Sequence, residues 1–171
     1  MKLLGIDFSV RATGLVAAPA DWDGSWSKVH WATVGETLPR DASDVQRARR
    51  MESLARGICA FARMHDVDVA WFESYGFAQA RAAHTIAEAC GVTRLELVRA
   101  GIEIRTANMS AARKLLLGKV PRTSTEVKAA VYKVVREAGA PVDSYDLADA
   151  FVALNWGMSE LGGYCFAQAA A

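Results

Sequence analysis

Four carboxylates occupy positions where apolar side chains are expected, and they constrain the fold of this chain more than any other feature. Asp7 closes the run Leu3-Leu4-Gly5-Ile6, and Glu73 closes Val69-Ala70-Trp71-Phe72. Asp146 and Asp149 belong to a stretch that continues Ala150-Phe151-Val152-Ala153-Leu154. A short apolar run bounded by turn formers reads as a buried strand, and a helix apolar nearly all round is itself buried. Residues three apart share a helix face, so Asp146 and Asp149 project together. An ionised carboxylate in apolar surroundings is too costly to keep unpaired. A fold that holds all four must bring something positive to them.

Each acid also has an ordinary structural reading. Asp7 can open the turn at Phe8-Ser9, and Glu73 can start a loop. Asp146 suits the first turn of a helix, where the dipole favours a negative charge. Asp149 is too deep for capping and can instead form a buried salt bridge to an Arg. Taken together, the four favour convergence on a cation. With no Cys or His ligand beside them, they suit the hard divalent ions Mg²⁺ or Mn²⁺. Two such ions about 4 Å apart can activate a water and stabilise the leaving oxygen of a phosphodiester. The chemistry implied is metal-dependent phosphodiester hydrolysis.

The rest of the chain reads as an α/β domain with a mixed sheet. Strand-like runs over 2–7, 13–18 and 27–34, joined by short connections, predict an antiparallel meander. From about 42 to 65, Val45, Met51, Leu54, Ile58, Phe61 and Ala62 repeat at helical spacing, with Arg47, Arg49, Arg50 and Arg56 on the solvent face. A buried strand follows over 67–73, then an Ala-rich helix over 78–91 closed by Gly91. A strand over 102–106 precedes a short helix over 110–117 that Gly118 stops. Thr123-Ser124-Thr125-Glu126 has capping-box spacing and starts a helix to about Ala138. A last helix runs from Asp143 or Ser144 to about Leu161. No repeat or linker divides the 171 residues, so a single domain is expected over 1–171.

Composition excludes several classes. A hydrophobic content of 52% rules out a disordered tail, and charges or turn residues break every apolar run before it reaches membrane-span length. Lys2 before a strand that already ends at Asp7 leaves no room for a targeting segment. The odd count of Cys59, Cys90 and Cys165, without metal spacing, reads as reduced thiols in a cytoplasmic protein. His30, His65 and His84 are scattered, Ser9 has no base partner, and there is no P-loop or GxGxxG. The five Trp read as core or dimer contacts. Net charge is only +1, yet the segment from Arg81 to Glu137 holds eleven Lys or Arg against five acids. A basic half beside an acidic half suits a protein that grips a polyanion and holds metal with carboxylates.

These motifs resemble one known family. Gly5-Ile6-Asp7-Phe8-Ser9-Val10-Arg11-Ala12-Thr13-Gly14 looks like the opening strand and turn of the RuvC-type Holliday junction resolvases. Trp71-Phe72-Glu73-Ser74-Tyr75-Gly76-Phe77 looks like their second acidic strand, and Asp146-Leu147-Ala148-Asp149-Ala150 like their terminal-helix signature. The resemblance spans about residues 2 to 155. The departures are Phe8 and Ser9, where many members have Pro and Gly, which fits a divergent or phage-borne member. The resemblance implies an RNase H-like fold, a homodimer, and two Mg²⁺ per active site, with Mn²⁺ able to substitute. It implies nicking of four-way junctions, and of Y-forks and flaps where selectivity is relaxed. By motif, Asp7, Glu73, Asp146 and Asp149 become the metal ligands. Tyr75 or Phe77 fills the place of an aromatic near the junction centre, and Lys114, Lys119, Arg122 and Lys128 become DNA contacts. Two rivals share the fold: an actin-like or sugar-kinase-like ATP-binding protein, which would need a second domain, and a non-catalytic branched-DNA scaffold, which would not need four buried acids.

Overall fold

A computed structural model describes residues 1–73, 80–163 and 166. Five strands form one sheet: β1 (Lys2–Asp7), β2 (Thr13–Pro19), β3 (His30–Val34), β4 (Val69–Glu73) and β5 (Glu103–Ala107). Their order across the sheet is β3-β2-β1-β4-β5. The first three pair antiparallel, as the meander predicts, whereas β1–β4 and β4–β5 are parallel. The parallel pairs require crossovers, supplied by α1 (Asp44–Met64) and α2 (Ala80–Arg99). After β5 come α3 (Met109–Leu117), α4 (Ser124–Glu137) and α5 (Tyr145–Glu160).

Two sequence expectations are corrected. The strand expected over 27–34 begins only at His30, because Trp26–Lys28 form a 3-10 turn that carries the Trp26 indole to the Ala138 carbonyl at 2.6 Å. The helix expected to close at Gly91 runs on to Arg99. One glycine inside a helix costs only about 1 kcal/mol, and the buried Cys90, Thr93 and Leu97 on either side of it outweigh that. The chain reverses instead at Gly101, whose φ of +80° suits glycine. The other caps follow the expected chemistry. Thr123 and Glu126 form the capping box of α4, Ser43 and Gln46 form one on α1, and Ser144 caps α5.

Strand alternation sorts the core onto two faces of the sheet. Leu4, Ile6, Ala70 and Phe72 point to the side covered by α1 and α2, while Leu3, Val69 and Trp71 point to the side covered by α3, α4 and α5. On the second side α5 sits very close to the strands. A Cβ on Gly5 would collide with the Ala150 carbonyl, and one on Gly14 with the Asp146 carbonyl. Trp22, Trp26 and Trp31 gather around Phe151 at ring-centre distances of 5.3–6.0 Å, so these three indoles belong to the core. Among the described residues, no helix is long and apolar enough to cross a membrane, and Cys59 and Cys90 are buried free thiols. Cys165 lies outside the described residues.

Candidate active site

Register alone places the first two acids side by side. Ile6 pairs with Phe72 across the parallel ladder, so Asp7 and Glu73 come next at the carboxyl ends of β1 and β4. Side chains alternate between faces. Because Ile6 and Phe72 point toward α1 and α2, Asp7 and Glu73 turn toward α5. The β1–β2 turn leaves this point immediately. It is tied by the Thr13 hydroxyl donating to the Ser9 carbonyl, while the Ser9 amide donates to Thr13 Oγ1 at 3.2 Å.

The other two acids arrive on α5. Its first turn is fixed by the Ser144 cap and by contact with Gly14, whose missing side chain lets the Asp146 backbone rest on the start of β2. Asp149, one turn on, is only 1% exposed. The electrostatics show how close the four lie. Asp7 is pushed up to about 8, first by burial, then by the negative charges of Asp149, Glu73 and Asp146, with Lys128 opposing. Burial also raises Glu73, against the pull of Arg113; Asp149 adds to the rise, and a hydrogen bond from the Asp7 carboxyl opposes it. Asp146 rises by burial, with Lys128 opposing and Asp149 reinforcing. Asp7 is therefore the group that holds a proton at neutral pH, and it shares that proton with Glu73.

The buried salt bridge considered for Asp149 is present. Arg113 Nη2 donates to Asp149 Oδ1 at 3.1 Å, and Lys128 Nζ lies 3.7 Å from Oδ2. Among the described residues, Asp7, Glu73 and Asp146 have no ion pair of their own. Two cations against four acids leave the cluster short of positive charge, which adds to the burial that raises Asp7, Glu73 and Asp146. No group of three or more acid, His or Cys side chains among the described residues is already arranged as a metal cage. The donor set nonetheless fits a hard divalent ion: all oxygen, half-buried at the carboxyl ends of β1 and β4 and buried at Asp149 on α5, and carrying negative charge that its neighbours leave unbalanced.

Arg113 is the site residue that the motif reading passed over, counted there only as part of the basic half. Its signal lay in helical spacing. Met109, Ala112 and Leu116 are the buried face of α3, and Arg113 stands four after Met109 and three before Leu116. A cation on an apolar face needs an acid opposite it. Lys128, expected to contact DNA, faces Asp149 across the start of α4. Lys114, Lys119 and Arg122 are exposed on the end of α3 and the connection to α4, the two helices that deliver Arg113 and Lys128. Tyr75 and Phe77 lie outside the described residues.

The fold is RNase H-like: a mixed sheet, with acids at the ends of its central parallel pair and on the last helix. Among solved structures, the chain is similar to Thermus thermophilus RuvC in complex with a Holliday junction substrate, at 18% identity and TM-score 0.69. That match covers 95% of this chain and 96% of the other. A second Thermus thermophilus RuvC structure matches at 20% identity and TM-score 0.69, over 95% and 97%. The fowlpox virus resolvase in complex with its Holliday junction substrate matches at 11% identity and TM-score 0.59, over 94% and 99%. No protein-family model matches the chain, and no curated protein matches it by sequence. The fold is thus that of the RuvC structures, in a chain identical to them at no more than 20% of positions.

Proposed function

We propose that this protein is a metal-dependent endonuclease that resolves four-way DNA junctions, acting as a homodimer through a single domain per chain. The observation that carries the reading is the meeting of Asp7, Glu73, Asp146 and Asp149 at one end of the sheet with too few cations to balance them. A scaffold would gain nothing from that arrangement, because clustered buried acids cost stability. The assignment of Holliday junctions as substrate is supported by the solved structures that share the fold.

In this reading the four carboxylates are the ligands of two Mg²⁺ ions, with Mn²⁺ able to replace them. When bound, the ions supply Lewis-acid activation of a water and stabilisation of the departing oxygen. Positive charge held there would favour the ionised form of Asp7 over the protonated form that burial favours. Arg113 holds Asp149 in place and offsets part of the repulsion among the four acids. Lys128 reaches the same carboxylate from α4 and, with Lys114, Lys119 and Arg122, offers positive charge to the phosphate backbone. Tyr75 or Phe77, which follow Glu73 in the sequence, would be the aromatic that approaches the junction centre.

Incubation of end-labelled four-way junction, Y-fork, flap and linear duplex with Mg²⁺, Mn²⁺ or EDTA tests this reading. Paired nicks in the junction, leaving 5′-phosphate and 3′-hydroxyl ends and abolished by EDTA, are expected. An uncut junction with every metal would leave a binding protein only, and equal cutting of linear duplex would remove the structure selectivity.

A further inference from the structure

Beside the acid cluster, two tyrosines meet across the last two helices. Lys128 and Tyr132 stand one turn apart on α4, as Tyr145 and Asp149 do on α5. The Lys128 ammonium reaches Asp149 at 3.7 Å, and the rings of Tyr132 and Tyr145 meet edge to face with centres 5.2 Å apart. Tyr132 is held in turn by Arg136. Its Nη1 donates to the Tyr132 hydroxyl at 2.8 Å, and its guanidinium lies 5.8 Å from the ring centre. Tyr132 rests partly on the core, whereas Tyr145 is 50% exposed.

Tyr145 stands at the mouth of the site. It immediately precedes Asp146, whose backbone rests on Gly14, the β2 residue paired with Asp7. Asp149 follows four residues later, about 6 Å along the helix axis. We propose that Tyr145 is a stacking platform for a nucleobase of the strand to be cut, with Tyr132 and Arg136 as the positioning residues that hold its ring. The inference rests on the nuclease reading above and adds to it an aromatic contact on α5, separate from the segment after β4.

A phosphate drawn to the four acids brings the adjoining nucleotide within about one helical turn of Tyr145. The chemistry of the place selects the base of that nucleotide over its phosphate. Asp143 and Asp146 flank Tyr145 in the sequence and repel an anion, whereas a base is uncharged and presents a flat face. Stacking on an aromatic side chain tolerates any base, because each has a π face. A ring already fixed by its neighbours gives up little freedom when a base settles on it. Unstacking costs least where a base lies outside continuous duplex, so the platform favours branched over linear DNA.

Fluorescence anisotropy with labelled four-way junction and linear duplex, with Ca²⁺ in place of Mg²⁺, tests the platform. Tyr145→Leu is expected to weaken junction binding about tenfold, the loss of one stacked base, and to leave duplex binding unchanged. The salt dependence of junction binding is expected to stay the same, because no phosphate contact is removed. Tyr145→Phe, which keeps the ring, is expected to match the wild type, and circular dichroism to be alike for all three. The fluorescent base 2-aminopurine, placed in turn at each position next to the branch point, is expected at one of them to be dimmer on the wild type than on Tyr145→Leu, because a stacked ring quenches it. A Tyr145→Leu variant that binds the junction as tightly as the wild type, or leaves the 2-aminopurine signal the same at every position, would overturn the platform while leaving the nuclease reading intact. So would a Tyr145→Phe variant as weak as Tyr145→Leu. A wild-type protein that binds the junction no better than linear duplex would overturn both.

Discussion

The helices α5 and α2 lie on opposite faces of one sheet and break the usual distribution of polarity in opposite senses. Helix α5 is buried almost throughout, yet it carries Asp146 and Asp149. Helix α2 has one properly buried side, yet it presents Val92, Leu95 and Val98 to solvent. The first departure costs electrostatic free energy and the second leaves apolar area wet. Neither is needed to form the fold. The first leaves negative charge that a cation can balance, and the second leaves an apolar strip open to solvent.

The largest effect is expected from neutralising the half-buried acid in the first turn of α5. Asp146→Asn is expected to lower junction cleavage at least about a thousandfold, on the order of 4 kcal/mol of transition-state stabilisation, while junction binding by gel shift stays unchanged. Retained cleavage would remove α5 from the active site. Next in size, Gly5→Ala forces a methyl into the Ala150 carbonyl and is expected to lower unfolding stability by about 3 kcal/mol in urea titrations. Arg113→Ala, which leaves Asp149 buried with Lys128 alone, is expected to cost about 3 kcal/mol in the metal-free protein. Added Mg²⁺ should return much of that loss, because it supplies the missing positive charge.

The proton on Asp7 gives a smaller and more diagnostic effect. Its folded-state value of about 8 stands above the ordinary 3.8, so the folded state binds the proton more tightly than the unfolded chain. The associated stabilisation is complete below about pH 4 and is lost as pH rises through about 8. Melting temperature without metal is therefore expected to fall across that window, Asp7→Asn to flatten the fall, and Mg²⁺ to raise the melting temperature more at pH 9 than at pH 6. On the opposite face the effect is smallest. Gly91→Ala is expected to raise unfolding stability by about 1 kcal/mol in urea titrations, because nothing lies within 4 Å of the added methyl.

Much of the fold was legible because its signals are local. Two apolar runs ending in acids, the Thr123–Glu126 capping box and the Gly118 stop are contacts between near neighbours in sequence, and the structure places elements where they point. The misreadings came where a local signal met tertiary packing. Gly91 looks like a terminator, but the burial of Cys90, Thr93 and Leu97 carries the helix through it. Ser27–Val29 look like strand, but the Trp26 indole draws that stretch into a turn. Arg113 looked like one surface cation among eleven, because nothing within α3 says which acid stands opposite.

By itself, the sequence determined which residues carry charge into apolar surroundings and which side of each helix is apolar, since both follow from side-chain chemistry and backbone period. Only the tertiary structure decided that strand register sets Asp7 beside Glu73, that Gly5 and Gly14 let α5 approach closely enough to add Asp146 and Asp149, and that Arg113 and Lys128 claim Asp149. Those facts depend on distances between segments far apart in the chain. Such distances are settled by packing, where a single methyl or a one-residue slip in register would have sent the acids elsewhere.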